Sequence, residues 1–63
     1  MPPATPAERR YVEAYLSAGS MKGVAEIMRT SEGTVRSRFA RFYKRHGVRN
    51  ITELAVLVLD RSM

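Results

Sequence analysis

Ser31-Glu32-Gly33-Thr34-Val35-Arg36-Ser37-Arg38-Phe39-Ala40-Arg41-Phe42-Tyr43-Lys44-Arg45 carries the strongest structural signal in the chain. A serine whose hydroxyl accepts from the backbone two or three residues on opens a helix, and Glu32 just inside it faces the positive end of the helix dipole. Val35, Phe39 and Phe42 recur at i, i+4 and i+7, which gathers them on one stripe and leaves Arg36, Ser37, Ala40, Arg41 and Lys44 pointing away. The predicted helix has an apolar inner face and a basic outer face.

Upstream, Arg29-Thr30 reads as a tight turn, and Ser20 caps a short helix through about Met28. Val24, Ala25, Ile27 and Met28 supply its apolar side, and Gly23 weakens it. Further back, Thr5-Pro6-Ala7-Glu8 predicts a capping box with proline at the first helical position, where no donor is missed. Tyr11, Val12, Tyr15 and Leu16 follow at helical spacing, and Ala18-Gly19 ends that helix. Residues 1–4, with two prolines and no periodicity, are expected to be a disordered lead-in to one domain over residues 5–63. Downstream, Gly47 is placed to terminate the basic helix, and Asn50-Ile51-Thr52-Glu53 repeats the capping-box pattern at the start of a fourth. That last helix is apolar almost all round. A stripe of Ile51, Ala55 and Val58 suffices to pack it on a small core, so Leu54, Leu57 and Arg61 are expected to face outwards as a dimer contact.

The composition narrows the function classes. The 63 residues hold no cysteine and one histidine, His46, so neither a thiolate metal site nor a catalytic triad is expected. No glycine-rich phosphate loop is present, and no enzymatic activity, metal, cofactor or small-molecule ligand is expected. No apolar run approaches the roughly 20 residues that span a bilayer, and no signal peptide opens the chain, so a cytoplasmic protein without a membrane partner is expected. The net charge is +5, and its distribution says more than its size. Arg36, Arg38, Arg41, Lys44, Arg45 and Arg49 crowd one stretch, while Glu8, Glu13, Glu26, Glu32, Glu53 and Asp60 all lie outside it. Tyr11, Tyr15, Phe39 and Phe42 fit core packing by their spacing, Tyr43 fits either face, and His46 fits a half-buried helix end where its charge suits the dipole.

At Gly19-Ser20-Met21-Lys22-Gly23-Val24-Ala25, at Ser31-Glu32-Gly33-Thr34-Val35 and at Gly47-Val48-Arg49-Asn50-Ile51-Thr52-Glu53, the chain resembles the LuxR/FixJ-type (GerE-like) DNA-binding domain. The resemblance runs without a gap from Thr5 nearly to the end. It implies an all-α, four-helix helix-turn-helix domain of the LuxR C-terminal effector type, with the third helix in the major groove and the fourth often pairing two copies. Fuller members of that family generally carry a receiver or ligand-binding domain ahead of this module; the 63 residues show none, so a stand-alone module is expected. Four positions depart from the family pattern: Gly23 replaces a usual Glu, Thr30 an apolar residue, His46 a buried Leu and Ile51 an Arg. Residues 31–45 also resemble region 4 of bacterial sigma factors, against which the capped apolar fourth helix argues.

The expected partner is double-stranded DNA. Arg36 and Ser37 lie one turn into the third helix, where docked recognition helices reach base edges, and Ala40 offers at most contact with a thymine methyl. Lys22, Thr34, Arg38, Arg41 and Lys44 are expected at phosphates. A homodimer through Leu54, Leu57 and Arg61 is the expected working unit. The alternative is a protein-interaction module that pairs with a larger transcription regulator, or with the transcription machinery, through the fourth helix.

Overall fold

The computed structural model describes residues 3–61. Among them it has four helices and no strand: α1 (Pro6–Ala18), α2 (Met21–Met28), α3 (Glu32–His46) and α4 (Ile51–Arg61).

Each boundary has a local hydrogen-bonding cause. The Glu8 N–H donates to the Thr5 hydroxyl at 3.1 Å and the Thr5 N–H to the Glu8 carboxylate at 2.8 Å, closing the capping box of α1. The Gly23 N–H donates to the Ser20 hydroxyl and the Thr34 N–H to that of Ser31, which satisfies donors that α2 and α3 cannot pair internally. Gly19 and Gly47 end α1 and α3 at φ 78° and 68°, a left-handed conformation that glycine adopts without Cβ strain. Arg29 ends α2 in the same conformation at φ 56°, and the Thr30 N–H reaches back to the Ala25 carbonyl at 3.0 Å. That bond compensates a conformation costly for a residue with a Cβ. Arg29, Thr30 and Ser31 are then all that separates α2 from α3.

The core collects one stripe from each helix. Val12, Val24, Val35, Leu54 and Val58 are fully buried, and Phe39 of α3 sits at the centre of an aromatic cluster. The ring centroids of Tyr11, Phe42, Tyr43 and Tyr15 lie 5.9, 5.8, 6.1 and 6.2 Å from that of Phe39. Three of these contacts are edge-to-face, the geometry the ring quadrupole favours; the tilted contact of Tyr43 with Phe39 and its half-burial place it on the core side of α3.

Three expectations are corrected. Leu54, expected outside as a dimer contact, is fully buried, because α4 packs on both α1 and α3 and therefore buries a wider arc than one stripe. Leu57 is half-buried against the same core, and the Arg61 side chain lies outside the described atoms. The outward apolar residues of α4 are instead Val56 and Leu59, 67% and 37% exposed. On α2, Ile27 is exposed, so the apolar side of that helix is narrower than expected. At the front of the chain, Pro3 and Ala4 join the fold: the Pro3 carbonyl accepts from Arg45 and Ala4 packs on the core. Met1 and Pro2 of the expected lead-in lie outside the described residues.

Gly23 has a role that propensity alone hides. A Cβ built there would overlap the Ala18 Cβ, so the missing side chain lets the first turn of α2 seat against the end of α1. A Gly23→Ala variant should gain up to about 1 kcal/mol of helix propensity and lose about 1–3 kcal/mol to overpacking. Urea unfolding is therefore expected to show net destabilisation, and a stabilised variant would show that the two helices separate freely.

Candidate nucleic-acid interface

The inner stripe of α3 is spent on the core, which orients everything else on the helix. With Val35 and Phe39 buried, Arg36, Ser37, Arg38, Ala40, Arg41 and Lys44 are all directed away from it, and Thr34 lies beside them at the helix start. Two shallow grooves run along one flank of the helix. The first, about 560 Å³, is lined by Ser31, Gly33, Thr34, Ser37, Arg38 and Arg41. The second, about 540 Å³, lies between α3 and the start of α1 and is lined by Thr5, Glu8, Arg38, Arg41, Phe42, Lys44 and Arg45. Arg38 and Arg41 border both, so the grooves join into one trough beside most of the length of α3.

The cations of α3 are not equivalent. Among the described residues, Arg41 and Lys44 form no ion pair, which leaves both charges available to an incoming anion. The Arg38 guanidinium stands 6.0 Å from the Tyr11 ring centroid, at the outer range of a cation–π contact. Arg36 donates Nε at 3.1 Å and Nη2 at 2.7 Å to a single oxygen of Glu32. The Thr34 hydroxyl accepts from that of Ser31 at 2.9 Å and keeps its own proton to donate. Thr34, Arg38, Arg41, Lys44 and Ser37 are thus brought together along the trough. Lys22 is exposed on the first turn of α2 and borders neither groove.

Arg45 turns inward instead. Its Nη1 donates to Glu8 Oε1 at 2.6 Å and its Nη2 to the Pro3 carbonyl at 3.1 Å. Beside it the His46 Nε2–H donates to the other Glu8 oxygen at 2.8 Å, and the Glu8 and His46 side chains are almost wholly buried. Among the described residues, the buried His46 Nδ1 has no hydrogen-bond partner. Burial by itself raises the Glu8 carboxyl, but the Thr5 N–H, the Arg45 guanidinium and His46 outweigh it and hold the group below the ordinary glutamate range. This cluster ties the start of α1 to the end of α3. Sequence reasoning missed it because capping already accounts for Glu8 locally; the one available signal was a histidine where the resembling family buries a leucine, since a buried polar side chain needs a partner.

No group of three or more histidine, cysteine, aspartate or glutamate residues is placed to hold a metal ion among the described residues, and no helix is long and apolar enough to cross a membrane. No family model, curated protein or solved structure matches the chain.

Proposed function

We propose that this chain is a helix-turn-helix transcriptional regulator of LuxR/FixJ type that binds double-stranded DNA by laying α3 in the major groove. The observation that carries the reading is the outer side of α3, where Arg38, Arg41 and Lys44 border one trough and the last two have no acidic partner among the described residues. A phosphate backbone is the ligand such an arrangement suits, because each cation that meets a phosphate releases condensed counterions. The three-residue link between α2 and α3 supports it, as does the rigid seating of α3 by the Phe39 cluster and by Glu8. In this reading Arg36, Ser37 and Ala40 face base edges, and Thr34, Arg38, Arg41 and Lys44 hold the backbone. Lys22 joins them only if the duplex curves towards α2. The protein then works in the cytoplasm, on the genome. The homodimer proposed through α4 is left with a smaller patch than the sequence suggested, since Leu54 is core and Leu57 is half-buried against it.

The test is fluorescence anisotropy with a random-sequence duplex at several ionic strengths. With three or four backbone cations engaged, log K should fall with log salt at a slope of about −3. A slope near zero would overturn the reading and favour a module that pairs with a larger regulator through α4.

A further inference from the structure

Glu32 is the one acid within α3, and its placement is chemically specific. It stands one turn before Arg36, with their side chains 43% and 65% exposed. Both contacting nitrogens of Arg36, Nε and Nη2, converge on Glu32 Oε2. Glu32 Oε1 and Arg36 Nη1 therefore stand outside that pairing, an acceptor and a donor carried side by side. At 100° per residue, positions 32 and 36 lie on the flank of α3 opposite to 34, 38 and 41, which border the trough. The two flanks differ in kind. The trough flank is cationic, whereas on the other flank one carboxylate neutralises one guanidinium.

A neutralised pair is a poor grip on phosphate, because the carboxylate repels it. In the major groove, however, a G·C pair presents guanine N7 and O6 as acceptors and cytosine N4–H as a donor on one edge. We propose that Glu32 and Arg36 together read a single G·C base pair, Arg36 donating to guanine and Glu32 accepting from the cytosine amino group. The proposal rests on the DNA-binding reading and deepens it: backbone affinity comes from the trough, base discrimination from the opposite flank. Glu32 also keeps Arg36 from being drawn to phosphates at non-cognate sites, so it is a specificity-determining residue and not only a favourable charge at the helix start.

The experiment begins with selection of bound duplexes from a random pool by the wild-type protein, followed by anisotropy titrations on the selected duplex and on unselected duplex. Wild type should require one G·C pair in the selected site. Replacing that guanine by 7-deazaguanine, which lacks the N7 acceptor but keeps O6, should lower wild-type affinity by about 2- to 15-fold, roughly half in free energy of one bidentate base contact, and leave the already weakened Arg36→Ala protein unaffected. Glu32→Gln should bind unselected duplex severalfold more tightly, steepen the salt slope by about one and weaken the preference for that G·C pair, because a neutral amide oxygen accepts less strongly than a carboxylate and no longer orients Arg36 as firmly. Glu32→Asp retains the charge at the helix start but retracts the carboxylate, so it should weaken the same preference; a helix-dipole role alone would leave it at the wild-type level. Wild-type binding with no G·C requirement, or a Glu32→Gln protein with unchanged preference and salt slope, overturns this proposal and leaves the DNA-binding reading standing. Failure of wild type to bind duplex in a salt-dependent way overturns both.

Discussion

Replacing Glu8 by alanine is expected to cost about 3–5 kcal/mol, the usual consequence of removing one partner from a buried ion pair. The carboxylate is 1% exposed and accepts from the Thr5 N–H, from Arg45 and from His46. Without it, Arg45 and His46 are left facing an empty polar site and α1 loses half its capping box. A core of this size supplies no more than about 3–5 kcal/mol in total, so the variant should be largely unfolded at 25 °C. Circular dichroism during thermal and urea unfolding measures the effect, and a loss below about 1 kcal/mol would show that the cluster contributes nothing net. The same group sets the acid limb. Because its folded pKa is depressed, its contribution is fully present above the ordinary value of 4.5 and is lost as pH falls from there through the folded value. Wild type should accordingly destabilise below about pH 4.5, and Glu8→Gln should be less stable near neutrality with a flatter acid limb.

The second large effect concerns DNA. Reversing both unpaired cations, Arg41→Glu with Lys44→Glu, should leave the helical spectrum and melting transition nearly unchanged, because both side chains lie on the outer side of α3 and neither forms an ion pair among the described residues. Affinity for any duplex at low salt should nevertheless fall by about 100-fold or more, and the slope of log K against log salt should shrink by about two, one for each phosphate that is no longer neutralised. The loss should be uniform across sequences, since the phosphate backbone positions the protein without being read as bases. Anisotropy on selected and random duplexes separates the outcomes: a loss confined to the selected site would move Arg41 or Lys44 from the backbone to a base edge, and no loss would remove the trough from the interface.

Everything legible in the chain before it folds was local. Thr5, Ser20 and Ser31 cap helices through hydrogen bonds that span three residues, and Gly19 and Gly47 end them through their own backbone freedom, so each boundary could be read where it occurs. The spacing of Val35 and Phe39 likewise settled which side of α3 turns inward, and with it which residues remain outside. The pairing of Arg36 with Glu32 was within reach of the same logic, because residues four apart on a helix are neighbours. Packing between helices settled the rest. Leu54 and Leu57 could not be placed from a helix apolar nearly all round, whose pattern holds no contrast to orient it; docking on both α1 and α3 chose the buried arc. Gly23 looked like a weakness until Ala18 was brought against it. Glu8 and His46 lie 38 residues apart with no local motif joining them, and their pairing follows from the way Phe39 and its aromatic neighbours dock α3 on α1, which closes the end of one helix over the start of the other.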